Sequence, residues 1–283
     1  MPGRFSRSLE LAKASWSVVS DDKELLLFPV MSVAALLLIL GSLTVPFAVL
    51  GGFSPDAGAA GPSAGSAIGV LLFYVIGYFI TLFFNTALVG AAMIRMDGGN
   101  PRLGDGLRIA RERAGRILAY ACIAGTVGLL LRALEERVGW VGRIAVKLIG
   151  VGWTLATFLV VPVLVTRNVG PVEAVKLSAD LLRHSWGENL IGNVGLGLAF
   201  GVAYAGLVIV AGIALVLAAK AGRPLLISLV VLVGIVAFSV LAALHATLQA
   251  VYAAALYRYA TDHTTPLSGF GPALLESAFS AKQ

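Results

Sequence analysis

Long stretches without a charged residue are the feature that most constrains this chain. Six predominantly apolar runs approach or exceed the roughly 20 residues that a helix needs to cross a hydrocarbon core of about 30 Å. They are Leu25–Leu50, Ala67–Ile94, Ile117–Leu131, the run between Lys147 and Arg167, Asn189–Ala219 and Pro224–Tyr257. The third run spans only if Arg116 and Arg132 at its ends snorkel outward, and the last two are long enough to tilt or to extend beyond the lipid.

Composition agrees with this pattern. Only 13% of the 283 residues are charged, against about 25% in an ordinary soluble domain, which argues against a water-soluble enzyme. The sequence therefore predicts an all-α polytopic membrane protein with six transmembrane helices and cytoplasmic amphipathic interfacial helices, forming a single integral membrane domain over residues 1–283.

The distribution of basic residues predicts the orientation. Six spans place both termini on one side, and that side carries 15 of the 21 Lys and Arg residues. By the positive-inside rule, both termini are expected in the cytoplasm. The 24 residues of mixed charge before the first span do not match a cleavable signal peptide, and the Ala- and Gly-rich composition suits a bacterial inner membrane.

The ends of the even-numbered spans resemble one another. Arg95, Arg167 and Arg258 each close an apolar run, and each is followed by a short turn that contains proline. Segments with apolar residues at helical spacing and basic residues between them follow the first two turns and also precede the first span; they are Leu103–Ala114, Val172–Leu182 and Leu9–Val19. This pattern indicates a threefold repeat, with units 1–100, 101–170 and 171–283. The alternative is that there is no repeat, since any polytopic protein has arginines at cytoplasmic helix ends and amphipathic connectors.

Polar side chains inside the spans are the candidates for function, because they are expensive in lipid. Four of them lie nine to thirteen residues before the terminal arginine of their span, or roughly 14–20 Å from its cytoplasmic end: Asn85, Thr157, His245 and Gln249. They could line one cavity, with Arg95, Arg167 and Arg258 at its cytoplasmic mouth. The alternative is that each bonds a neighbouring helix and serves only packing.

Catalytic and metal-binding patterns are not found in the sequence. The acidic residues lie outside the spans, the three histidines lack metal-ligand spacing, and Cys122 has no basic partner. We therefore predict no catalytic residue, no metal and no cofactor, and the sequence does not favour an enzyme. Asp21 and Asp22 are expected to cap the first helix.

The densest group of arginines lies between the second and third spans. The segment from Arg102 to Arg116, including Arg108 and Arg111, alternates arginines with apolar residues, which favours anionic lipid headgroups over nucleic acid. On the outer side, residues 138–148 predict a second interfacial helix.

The N-terminal strings Ser15-Trp16, Asp22-Lys23-Glu24-Leu25 and Phe28-Pro29 resemble those of a family of uncharacterised bacterial six-span membrane proteins. The arrangement of amphipathic helix and helical hairpin is also similar to the membrane domain of some glycerophosphodiester phosphodiesterases. Neither resemblance implies a catalytic residue, since phosphodiesterase chemistry belongs to a soluble domain that these residues do not contain.

Together these patterns predict a small transport, channel or lipid-handling module with a polar cavity at mid-membrane. A non-transporting scaffold or assembly partner is the first alternative, and an intramembrane enzyme is the second. Expected partners are membrane lipids, including anionic headgroups, and a second copy of the chain or another membrane protein.

Overall fold

The computed structural model describes residues 13, 15–49, 64–184 and 189–261, with side chains for all of these except 40, 43–49, 64–68, 70, 184 and 189–196. Residues 15–21 are helical, and a 3-10 turn, Lys23–Leu26, follows. Nine α-helices complete the described chain: α1 Leu27–Val49, α2 Ala64–Met96, α3 Leu103–Glu112, α4 Ala114–Arg137, α5 Trp140–Ala156, α6 Val160–Thr166, α7 Pro171–His184, α8 Asn189–Lys220 and α9 Pro224–Thr261.

Five segments of the described chain are long and apolar enough to cross a membrane. They are Leu71–Met96, Ala114–Arg137, Trp140–Thr166, Gly197–Lys220 and Pro224–Thr261. Helix α1, which contains most of the predicted first span, has 23 residues and is about 34 Å long, but part of it lies outside the described side chains. The protein is therefore an all-α, multi-pass membrane protein, and the sixth span stays a prediction.

The predicted fourth span is broken within its length. Helix α5 ends at Ala156 and α6 begins at Val160. Pro162 explains the break, because proline has no N–H to donate to the carbonyl four residues earlier and is tolerated only in the first turn of a helix. The predicted outer interfacial helix is also not separate: its residues from Trp140 onward form the beginning of α5.

Helix α7 satisfies the backbone at this break. The buried hydroxyl of Ser178 accepts a hydrogen bond of 2.9 Å from the backbone N–H of Leu159. Both residues are fully buried, so this N–H has no access to water and needs a partner. The amphipathic helix that the sequence predicts after Arg167 is thereby anchored against α5 and α6.

The best-packed part of the protein lies where α2, α6 and α9 end near Arg95, Arg167 and Arg258; we call this the arginine end. These three helices contact one another there. The buried core draws mainly on the last turns of these helices, with further members from residues 18–28 and from α4; among its members are Ala92, Met96, Leu164, Val251 and Leu256. The three predicted repeat units stay a prediction, although the three helix ends meet.

Helix α3 lies against α2 through two glycines. A Cβ at Gly106 would stand 2.6 Å from the carbonyl oxygen of Ala87 and 2.7 Å from the ring of Phe28, and a Cβ at Gly90 would stand 2.9 Å from Ile109. Only glycine permits this approach without a shift of the neighbours. The N-terminus of α3 is held by Glu24, whose carboxylate accepts a hydrogen bond of 3.1 Å from the backbone N–H of Leu103.

Asp22 caps the 3-10 turn that leads into α1. Its carboxylate accepts a hydrogen bond of 3.2 Å from the N–H of Glu24. Burial raises the pKa of the Asp22 carboxyl above its usual value, and the nearby carboxylate of Glu24 adds to the rise; the N–H of Glu24 and the positive charge of Arg95 act in the opposite direction. The capping prediction is therefore confirmed for Asp22.

Helices α8 and α9 form a long hairpin that protrudes from the packed core. Gly222, with φ +62°, makes the turn between them. Large apolar side chains on both helices are more than half exposed, including Val202, Ile209, Leu225 and Val240. In water such a surface would cause association, but in a bilayer it faces lipid tails of the same polarity.

Candidate functional site

A cavity of about 540 Å³ lies between α1, α2, α4, α9 and the broken span formed by α5 and α6. Its walls are mostly apolar. Polar side chains come from each of these helices: Ser32, Thr81, Asn85, Tyr120, Thr154, Thr157 and Gln249. No charged residue lines it among the described residues, so the cavity suits an uncharged or apolar group.

Three of the four residues proposed from the sequence meet at this cavity. Asn85 of α2, Thr157 at the end of α5 and Gln249 of α9 all line it. They come together because the last turns of α2 and α9 pack side by side while the broken span closes the third side. Their spacing from the terminal arginines places them at similar depths, as helical geometry requires.

The threonine hydroxyl groups in the wall are already satisfied. Thr81 donates to the carbonyl of Gly77 at 2.9 Å, Thr154 donates to Gly150 at 2.9 Å, and Thr157 donates to Trp153 at 2.8 Å. Each bond lies within the residue's own helix, which is the usual solution for threonine in an apolar environment. These threonines are therefore weak candidates for ligand binding.

The two amides differ from the hydroxyls. In the described part of the chain, neither Asn85 nor Gln249 makes a side-chain hydrogen bond, and both are only half-buried. An amide can donate two hydrogen bonds and accept two more. The packing alternative, in which each amide bonds a neighbouring helix, therefore receives no support from the described contacts of these two residues.

His245 lies outside this cavity. Its ring stacks on Phe200 of α8, with 4.4 Å between ring centroids and 12° between planes, and it also contacts Tyr204 at 6.0 Å. Four helical residues rotate by about 40° beyond a full turn. Gln249 stands at the edge of the α9 face that lines the cavity, and this rotation carries His245 toward α8.

Two of the three arginines predicted at the mouth connect the ends of different helices. Arg258 forms an ion pair with Asp97, Arg167 donates to the Tyr257 hydroxyl at 3.3 Å, and Arg95 contacts the carbonyl of Gly99 at 3.4 Å. The nearest lining residues on their helices stand five or six positions away, or about 8–9 Å along the axis, and buried apolar residues occupy that interval. In this arrangement Arg167 and Arg258 hold different helix ends together, Arg95 contacts the turn after its own helix, and none of the three lines the cavity.

The other two arginines singled out, Arg108 and Arg111, are exposed on α3. Arg108 pairs with Asp105 one turn earlier at 3.4 Å, with most of the Arg108 side chain and part of the Asp105 side chain in solvent, so the pair itself contributes little to stability. Both guanidinium groups can reach a headgroup layer beside α3.

Two wall residues were missed from the sequence. Tyr120 of α4 is buried beside Thr157 and Ser32 of α1 is also buried. Tyr120 lies in the short third run, where a single tyrosine does not by itself indicate a cavity. Ser32 lies four residues after Phe28 in the first run, and nothing in the sequence shows that this face of α1 turns toward α2 and α9.

No curated protein and no solved structure matches the chain. A family model, described as a family of unknown function (DUF6159), matches residues 64–268, which include every described wall residue of the cavity except those on α1. The chain belongs to this family of unknown function.

Proposed function

We propose that this membrane protein binds a lipid-like amphiphile, with its apolar body in the cavity and an uncharged polar group at Asn85 and Gln249. The observation that carries the proposal is the uncharged cavity of about 540 Å³ with two unbonded amides in its wall. Its volume lies within the range of about 300–1,000 Å³ that is typical of small-molecule sites, and apolar walls with a few polar groups are the usual lining.

The position of the opening supports a lipid-like ligand. Val33, Thr81 and Ala246 line the cavity and are themselves exposed, so the cavity reaches the surface at these residues. Thr81 and Ala246 stand about 18–21 Å from the arginine end along their helices. If the arginine end lies at the membrane surface, the opening faces the acyl chains, and a ligand enters sideways from the bilayer.

The same wall disfavours the transport of ions. Ion pathways and charged-substrate sites in membranes commonly use charged groups, because an unpaired charge is costly there, and no described charged residue lines this cavity. Lipid handling is therefore the best-supported member of the predicted group of transport, channel and lipid-handling functions. We place the protein in a bacterial inner membrane with the arginine end in the cytoplasm, on the distribution of basic residues.

A photoreactive lipid tests the proposal. Diacylglycerol with a diazirine in one acyl chain is added to the purified protein in detergent, irradiated, and the labelled peptides are mapped with and without excess unmodified diacylglycerol. We expect competed labelling on the cavity faces of α2 and α9. Ala246→Phe fills the opening and should reduce that labelling about tenfold. Ala203→Phe makes the same change on the exposed surface of α8 and should have no effect.

The amides provide the second arm. Asn85→Leu combined with Gln249→Leu removes both polar groups, and each unmade hydrogen bond of a polar site is worth about 1–3 kcal/mol, so labelling should fall at least about fivefold while thermal stability is retained. Labelling that is uncompeted, or that is the same in Ala246→Phe as in Ala203→Phe, refutes a cavity ligand. Movement of a fluorescent phospholipid across liposome membranes, absent for Ala246→Phe, would extend binding to transport.

A scaffold is the second candidate, and the exposed hairpin of α8 and α9 is the observation that favours it. In the described chain, α8 has extensive contacts only with α9. A scaffold would form a stable complex through this hairpin and would not respond to Ala246→Phe.

A further inference from the structure

Two arginines at the junction of α3 and α4 converge on one neutral side chain. The Oδ1 atom of Asn168, in the turn between α6 and α7, accepts from Arg113 at 3.4 Å and also from Arg116. Both guanidinium groups are half-buried, while Asn168 is exposed. The amide oxygen carries only a partial charge, so two full positive charges share an acceptor that cannot neutralise either of them.

The corresponding turn elsewhere in the chain is neutralised. After α2, the turn that follows Arg95 contains Asp97, and its carboxylate pairs with Arg258. After α6, the turn that follows Arg167 contains Asn168 in place of an acid. Among the described residues, no carboxylate forms an ion pair with Arg113 or Arg116.

An unused donor at this junction points to a further ligand. The Nη1 atom of Arg116 is enclosed and has no hydrogen-bond partner in the described chain. A buried guanidinium N–H without a partner is costly, and a shift of the Arg116 side chain toward a bound anion would satisfy it. Helix α4 begins at Ala114, and the positive end of this helix favours negative charge at the junction, partly offset by the negative end of α3, which ends at Glu112.

We propose that Arg113, Arg116 and Asn168 form a binding site for a phosphate group, either the phosphate of an anionic lipid headgroup or a free phosphate. Guanidinium groups bind phosphate oxygens through paired, charge-assisted hydrogen bonds, and two of them here converge on one exposed side chain, Asn168. This site is independent of the cavity: its ligand is an anion, whereas the cavity has an uncharged wall.

Inorganic phosphate and phosphatidylglycerol are the two probes. Phosphate is titrated into the full-length protein in detergent at constant ionic strength, with chloride as the balancing anion so that general screening is held fixed, and thermal unfolding is followed. Separately, native mass spectrometry counts the phosphatidylglycerol that remains bound after release from nanodiscs containing phosphatidylglycerol and phosphatidylcholine.

The key variant supplies the missing acid. Asn168→Asp places a carboxylate between the two arginines, so it should raise the unfolding temperature without ligand and weaken phosphate or phosphatidylglycerol binding by about tenfold or more. Arg113→Gln with Arg116→Gln should remove binding. Lys176→Gln changes the net charge by the same amount as Asn168→Asp, at an exposed position on α7, and should bind like the wild type.

The outcomes separate the possibilities. Saturable stabilisation by phosphate alone identifies a free anion as ligand, and retention of one phosphatidylglycerol without a phosphate effect identifies a headgroup. The proposal is wrong if neither probe binds, if Asn168→Asp binds as tightly as the wild type, or if Lys176→Gln weakens binding equally. Ala246→Phe should leave this binding unchanged, so failure of the cavity proposal does not affect the result.

Discussion

The contact of α3 with α2 at Gly106 gives the sharpest test of the packing at the arginine end. Gly106→Ala would place a Cβ 2.6 Å from the backbone oxygen of Ala87 and 2.7 Å from Phe28, where 3.4 Å begins ordinary contact. A backbone carbonyl within a helix cannot turn away, so α3 must move outward by roughly 0.8 Å. A gap of this size forfeits a quarter to a half of the dispersion energy between facing atoms.

The control lies two residues earlier on the same helix. A Cβ at Gly104 would meet nothing within 4 Å, so Gly104→Ala retains the packing and should be neutral or stabilising by up to about 1 kcal/mol, the difference in helix propensity. Overpacking at Gly106 should cost about 1–3 kcal/mol. With a change of about 2–4 °C per kcal/mol for a chain of this size, Gly106→Ala should unfold several degrees below Gly104→Ala, because the gain in helix propensity is common to both variants.

Thermal unfolding of the purified variants in detergent, followed by circular dichroism, measures both effects under the same conditions. We expect Gly106→Ala to lose stability and Gly104→Ala to retain it. Equal unfolding temperatures for the two variants would show that α3 is not held against α2 by the close approach at Gly106, and the account of the packing at the arginine end would then be wrong.

Three further predictions concern other parts of the protein. Ser178→Ala leaves the N–H of Leu159 without its partner and should cost about 1–3 kcal/mol, measured as a lower unfolding temperature in detergent. The pKa of Asp22 is raised in the folded protein, so the folded state holds the proton of this carboxyl more tightly than the unfolded chain does. The contribution of Asp22 to the free energy of unfolding therefore falls as pH rises from about 3.8 through the folded pKa. Asp22→Asn, which can still cap Glu24, should therefore be more stable than the wild type at neutral pH and equal to it in acid, and parallel pH profiles would contradict this. In a Cys122→Ser background, Lys220→Cys should react with an impermeant maleimide in intact cells and Lys176→Cys only after the cells are opened; the reverse result would invert the proposed orientation.

The sequence predicted the helical class and most of the helix positions correctly. An uncharged apolar run of about 20 residues crosses a bilayer as a helix, because a helix lets the backbone N–H and C=O groups bond one another within the segment. The short amphipathic helices after Arg95 and Arg167 were also predictable. Apolar residues at helical spacing, with basic residues between them, lie on one face only when the segment is a helix. Pro162 could have indicated the break between α5 and α6, but a proline in a span often causes only a kink.

Residues of the cavity were harder to predict than the helices themselves. Spacing from the terminal arginines gave the depth of Asn85, Thr157 and Gln249, which the structure brings to one cavity. Spacing could not give the rotation of α9 about its axis, and so it grouped His245 with them. That rotation is decided by packing, since Phe200 and Tyr204 of α8 offer His245 an aromatic surface.

By itself, the sequence determined that this chain is a multi-pass helical membrane protein with short amphipathic helices between its spans, because those properties follow from local composition and periodicity. Only the tertiary structure decided which polar groups face a common space, that the arginines at the helix ends have partners, and that Arg113 and Arg116 share the neutral Asn168. Such pairings join residues more than fifty positions apart, and their geometry depends on how whole helices pack, which no local pattern contains.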